Sequence, residues 1–351
     1  MSRSVIQLNI TCIPQEDYFG SPQFYSTSMH IVSVIATPIH SLGLFCILFK
    51  TPDQMKSIKF YLLVLHIWVM AFDYSLTLFT IPFILAPGLA GYSLGLYKYF
   101  NVPFMIQVII ILALFAWMMF AAVSIFENRF YTICTFSWKK HWSFWRRPWL
   151  AIHYIGDVIL LIPVAIFVPD QKTALIKTYK RLPCLPQEVY EAPIVVAADD
   201  YTYHFIAAFF GVILITSEIF FFVGFLVSNS IQQLKQKTMS QKTYNMQKKL
   251  LIALVIQSFV PMTFFMFPLV YGMVVVIKEY YNQAIVNILF INGSMHGFVS
   301  TLAMLFLHRP YREATLNIFS VLQKKPSPEI SHNVVSNNYV PRNSTRRVQV
   351  W

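Results

Sequence analysis

Long apolar stretches recur seven times along the chain, at about Met29–Phe49, Phe60–Ala86, Asn101–Phe126, Trp149–Val168, His204–Ser228, Leu250–Ile277 and Ala284–Leu307. Each is roughly 20 residues or longer, enough to cross about 30 Å of hydrocarbon at 1.5 Å per residue. Four of the seven hold no Asp, Glu, Lys or Arg. Inside a bilayer the backbone finds no water, so each span must satisfy its own N–H and C=O groups as a helix. The pattern predicts an all-α membrane protein, a seven-transmembrane helix bundle over residues 29–307.

The polar segments set the orientation. Alternate gaps between the stretches hold 20 Lys and Arg against 7 in the others. The richer set belongs in the cytoplasm, which puts the N-terminus outside and the C-terminus inside. The net charge of +12 would suit nucleic acid if it covered one folded face. Spread over loops at one membrane surface, it implies no nucleic acid; it either sets the topology alone or also attracts anionic inner-leaflet lipid and acidic partners. Trp138, Trp142, Trp145 and Trp149 interleave with Lys139, Lys140, Arg146 and Arg147, an expected interfacial belt with snorkelling cations. The chain is 56% hydrophobic and 12% charged, about half the charged share of a soluble domain.

Residues 1–28 form a short extracellular N-terminus. Residues 1–25 lack a central apolar run, so the first span is expected to act as its own insertion signal. Asn9-Ile10-Thr11 is a glycosylation sequon on the outer side. The longest outer loop, about Pro169–Tyr203, carries Cys184, and the N-terminus carries Cys12. These two cysteines face the oxidising side, whereas Cys46 and Cys134 lie near cytoplasmic ends. The expectation is a Cys12–Cys184 disulfide, the alternative two unpaired thiols. After the seventh span, residues 308–325 read as an amphipathic juxtamembrane helix with Tyr311, Ala314, Ile318 and Leu322 on one face. Residues 326–351, rich in Ser, Asn and Pro, read as a disordered cytoplasmic tail.

Ionisable groups at membrane depth are costly, and each is a candidate for function. Asp73 lies midway along the second span, where a carboxylate can bind Na⁺ or a proton and bias a helix rearrangement, or pack as a neutral hydrogen-bonded group. His40, His66 and His296 join it. His153 and Asp157 share a helix face at metal-ligand spacing, but no HExxH or second His pair accompanies them, so no metal or cofactor is read. Glu218 either contacts a polar ligand or faces a neighbouring helix. Pro38, Pro82, Pro163, Pro261 and Pro268 fall inside spans. Pro261 and Pro268 in the long sixth span suit a hinge or a static kink. Glu127-Asn128-Arg129 ends the third span, where the acid and Arg129 could form a local pair that breaks on activation, or Arg129 could simply anchor.

Three stretches together resemble the nematode serpentine chemoreceptors of class h (Srh). The first is Ser28–Trp68, with Pro38-Ile39-His40, Phe49-Lys50-Thr51-Pro52, Met55-Lys56-Ser57 and Leu65-His66-Ile67-Trp68. The second is Phe126-Glu127-Asn128-Arg129. The third is His296-Gly297 followed by His308-Arg309-Pro310-Tyr311-Arg312. The resemblance implies a G-protein-coupled receptor in a sensory neuron, a multi-pass plasma-membrane protein of the sensory cilium, that detects a small environmental molecule and engages a heterotrimeric G protein. It also implies that Glu127-Asn128-Arg129 stands in for the Asp-Arg-Tyr element of rhodopsin-like receptors, and Pro310-Tyr311-Arg312 near their Asn-Pro-x-x-Tyr element. The chain departs from that pattern: Arg129 is two residues from its acid, no cysteine ends the third span on the outside, and no Trp precedes Pro261. The other readings are a transporter or ligand-gated channel, disfavoured by seven spans without internal symmetry, and an intramembrane hydrolase built on His153 and Asp157. Neither ligand nor oligomeric state follows from the sequence.

Overall fold

The computed structural model describes residues 17–182 and 184–323. Its helices are α1 (Pro22–Phe49), α2 (Lys56–Tyr74, continued by a π-helical turn Ser75–Thr80), α3 (Phe104–Ile133), α4 (Lys139–Ile166), α5 (Gln171–Arg181), α6 (Gln187–Glu191), α7 (Thr202–Lys235), α8 (Gln241–Lys278), α9 (Gln283–Ser294), α10 (His296–Leu307) and α11 (Arg309–Gln323). Seven helical segments among the described residues are long and apolar enough to cross a membrane, with α9 and α10 together forming the seventh. The chain is a seven-transmembrane bundle.

Local chemistry sets where the helices begin. Ser21 caps α1 by accepting from the Phe24 N–H, with Pro22 in the first turn, so α1 begins ahead of the apolar run at Met29. Ser240 caps α8 and Asn282 caps α9 in the same way. Every residue of α3 from Met118 to Phe130 is buried. A helix covered on all sides stands at the centre of a bundle, and α3 packs on α2, α4 and α7. On α4, Ile152, Ile155, Ile159, Ile162 and Ile166 are exposed, the apolar face a lipid-contacting helix presents.

The second apolar run does not stay helical to Ala86. After the π turn, Ile81 takes a left-handed conformation (φ 43°), and Pro82–Leu85 forms strand β1. Pro82 therefore lies in a strand, not inside a helix. Proline disfavours helical geometry in the residue before it and has no N–H to continue the ladder. β1 pairs antiparallel with β2 (Leu89–Ser93), and β2 with β3 (Val195–Ala198). The expected outer loop after α4 is thus largely folded as α5, α6 and β3. Tyr25 and Met29 of α1 pack beneath this cap with Ile81, Phe83, Tyr92, Leu182 and Val196. One end of the bundle is closed by the sheet. The other, where the Lys- and Arg-rich connections lie, is the basic end.

At the basic end α11 turns back onto the bundle. Tyr311 is fully buried with Cys46, Ile47, Met304 and Leu305. Its hydroxyl lies 2.9 Å from Thr51 Oγ1, whose own proton goes to Ile47 O at 2.6 Å. Tyr311 is therefore the donor. Tyr311→Phe is expected to cost about 1 kcal/mol and to speed hydrogen exchange along α11, which exchange mass spectrometry reads directly.

Candidate functional site

Two polar clusters occupy the bundle interior. The first is the basic end of α3. Glu127 accepts from Trp142 Nε1 at 2.8 Å and from Arg146 Nη2 at 2.8 Å, both on α4. Asn128 donates to Ser57 O at 3.0 Å, and its Oδ1 lies 3.3 Å from Arg146 Nη2. The Arg146 guanidinium also sits 4.1 Å over the Tyr131 ring. Residues two apart on a helix point away from each other, so Glu127 pairs across to α4 and not with Arg129. The expected local acid–arginine pair is corrected to an α3–α4 lock. The sequence placed Trp142 and Arg146 in an interfacial belt; a buried acid on the neighbouring span was the signal for their inward role.

Among the described residues Arg129 has no anionic partner. It is 4% exposed, and its Nε and Nη2 have no hydrogen-bond partner. His308, also buried with an unpartnered Nε2, stands close enough to feel its charge. Burial and the Arg129 cation push the His308 imidazole down to about 4, so it is neutral at pH 7. Arg129 lines a cavity of about 160 Å³ between α3, α7 and α8, with Leu226, Ser230, Tyr244, Lys248 and Leu254.

The second cluster joins α1, α2 and the seventh span. Asp73 Oδ2 lies 3.0 Å from His40 Nε2, and its Oδ1 lies 3.2 Å from His296 Nδ1. Thr301 gives its hydroxyl proton to Gly297 O at 2.9 Å, so it accepts from His40 Nδ1 at 3.1 Å. With Nδ1 carrying a proton, the His40–Asp73 contact holds one further proton, as imidazolium–carboxylate or as imidazole–carboxylic acid. His66 Nε2 donates to His40 O at 3.0 Å. Two glycines make room. A Cβ on Gly43 would lie 2.6 Å from Thr301 Cγ2 and 2.9 Å from His66 Cε1, and one on Gly297 would overlap the Asp73 carboxylate.

The other sequence candidates are dispersed. His153 Nε2 lies 2.9 Å and 3.1 Å from the Glu218 oxygens, while its Nδ1 donates to Trp149 O. His153 thus pairs with α7, not with Asp157 one turn on. Asp157 is buried beside Trp117 with Oδ2 unpartnered. Among the described residues no group of three His, Cys, Asp or Glu could hold a metal ion. Pro261 and Pro268 lie within α8, and Pro261 is buried. Pro310 opens α11, and the exposed Arg312 donates to Phe306 O at 3.4 Å. Cys184 is exposed and disulfide-bonded, and Cys46 and Cys134 are buried free thiols. Cys12 and Asn9 lie outside the described residues.

Comparison with known proteins joins these observations to a family. Residues 20–321 match the profile of the serpentine type 7TM GPCR chemoreceptor Srh. The match takes in all seven spans and both polar clusters. A curated relative, serpentine receptor class H-72 of Caenorhabditis elegans, is 28% identical over 314 residues, covering 88% of this chain and 89% of the relative. That is a receptor class, not an enzyme family. With its seven apolar helices and a family match over residues 20–321, the chain belongs to the Srh family of serpentine seven-transmembrane chemoreceptors.

Proposed function

We propose that this chemoreceptor detects a small environmental molecule and activates a heterotrimeric G protein at its basic end. The observation that carries this reading is Arg129: a buried guanidinium without an acceptor, bordering a cavity between α7 and α8. A buried cation costs several kcal/mol unless it is paired, so the site favours a partner that brings acceptor groups. Movement of α8 about Pro261 and Pro268 would widen that cavity, and the basic segment Lys235–Lys249 would meet the partner's surface. A ligand shifts such an equilibrium only by binding one helix arrangement more tightly than the other.

In this reading the N-terminus and the sheet face outward, and α11 and the tail lie in the cytoplasm beneath the plasma membrane, in a sensory cilium. Cys12 bonds Cys184, tying the N-terminus to the sheet cap, and Asn9 is glycosylated. Asp73 serves as the pivot where α1, α2 and the seventh span meet.

The test is a panel of small volatile and water-soluble molecules applied to cells carrying the receptor and a promiscuous Gα reporter. Wild type is expected to respond to some of them. Arg129→Ala at equal surface amount is expected to abolish those responses. Intact responses from that variant would reject Arg129 as the coupling residue. Substrate-driven current without any G protein would favour a channel or transporter instead.

A further inference from the structure

The cavity at Arg129 is open to one further reading, which concerns the membrane itself. No acid among the described residues is left to compensate this guanidinium. Glu127 belongs to Arg146 and Trp142, Asp73 to His40 and His296, and Glu218 to His153. Asp157 lies beside Trp117, and Arg129 stands twelve positions beyond Trp117 on α3, about 18 Å along the helix. His308, the titratable neighbour that feels Arg129, is neutral and offers no negative charge.

The walls of the cavity are those of an amphiphile site. Leu226, Leu250, Leu251 and Leu254 give it an apolar interior, and Lys248 adds a second cation at the end nearer the basic connection. Val227 of α7 and Ile252 of α8 also line it and are 42% and 48% exposed. In a bundle whose exposed apolar side chains meet lipid, those two residues place an opening between α7 and α8 toward the acyl chains. Arg binds phosphate and carboxylate oxygens through its planar fork of donors.

We infer that this cleft holds one anionic phospholipid of the inner leaflet, its head group against Arg129 and Lys248 and an acyl chain between Val227 and Ile252. This assignment rests on the orientation proposed above. Charge complementarity selects the occupant: two cations, no internal acid, an apolar wall and a lateral mouth. A diffuse attraction of the whole basic surface for anionic lipid would not depend on which lysine is removed, whereas a built site would.

The test uses the intact receptor in phosphatidylcholine nanodiscs doped with phosphatidylserine, with retained lipid counted by native mass spectrometry. No G protein is present, so this measurement and the coupling assay can fail independently. Wild type is expected to retain one phosphatidylserine. Lys248→Gln, an exposed position that leaves folding intact, is expected to bind it about tenfold more weakly. Arg129→Gln is expected to lose it, and Lys249→Gln, exposed but outside the cavity, to behave as wild type. Equal loss in the Lys248 and Lys249 variants, or no loss in either, overturns the site. So does equal thermal stabilisation by inorganic phosphate in pure phosphatidylcholine, which would make the ligand a soluble anion. Stabilisation by an acidic peptide but not by phosphatidylserine overturns it in favour of a protein occupant.

Discussion

Arg146→Gln is expected to destabilise the receptor by about 3–5 kcal/mol, the usual cost of removing one partner from a buried ion pair. Glu127 is 4% exposed and has two donors, Trp142 Nε1 and Arg146 Nη2. Losing Arg146 leaves a buried carboxylate with one neutral donor, and also removes the guanidinium above Tyr131. Receptor of that kind should be retained inside the cell and melt at lower temperature in detergent. The double variant Glu127→Gln, Arg146→Gln removes both charges together, so it should recover a large part of the loss. A thermal-shift double-mutant cycle reads the coupling. If the double variant is as unstable as the sum of the two single ones, Glu127 and Arg146 do not act as a pair. Because Glu127 is held by α4, Arg129 has no carboxylate partner among the described residues, which is the condition the proposed coupling role requires.

Gly297→Ala carries the second large effect. The added methyl would fall on the Asp73 carboxylate, which is hydrogen-bonded to His40 on one side and lies 3.2 Å from His296 Nδ1 on the other. Asp73 cannot swing away without breaking its hydrogen bond to His40, and a buried polar group left unmade costs about 1–3 kcal/mol. Overpacking adds a similar amount. Surface expression of Gly297→Ala should fall severely. The matched control is Gly272→Ala in α8, where an added Cβ meets nothing within 4 Å and stability should stay within about 0.5 kcal/mol of wild type. Equal surface levels for the two variants would show that the contact between α2 and the seventh span has slack. Replacing Asp73 by asparagine is not expected to rescue Gly297→Ala, because the amide occupies about the same volume.

Both effects depend on pairings that the residue order leaves open. Periodicity cannot say which neighbour a buried acid will face. Glu127 and Arg129 are close in sequence yet lie on different sides of α3. Arg146 is seventeen residues beyond Arg129 but returns to Glu127 because α4 runs back along α3. His153 and Asp157 show the same thing: their spacing suits a shared ligand, and the helix instead directs His153 to Glu218. Asp73 was legible as a buried acid at membrane depth, but its two imidazoles come from different spans, and Gly43 and Gly297 make sense only once those helices touch.

The second span shows where hydropathy runs out. Ile81–Ala86 is as apolar as the helix before it, and a short apolar run has no period that separates a buried strand from a helix. Its strand identity comes from Pro82, from pairing with Leu89–Ser93, and from β3 arriving more than a hundred residues later to complete the sheet. The sheet cap is a tertiary object assembled from three parts of the chain.

The amino-acid order alone determined seven helices, since a backbone in hydrocarbon has no other way to satisfy its own hydrogen bonds, and it also marked out which residues were charged at costly depth. Only the packed bundle decided which of those charges cancel. Glu127, Asp73 and Glu218 found partners on neighbouring helices, and among the described residues Arg129 did not. The reason is geometric: a helix fixes the direction of each side chain about its own axis, but only the placement of the helices around it determines what that side chain meets.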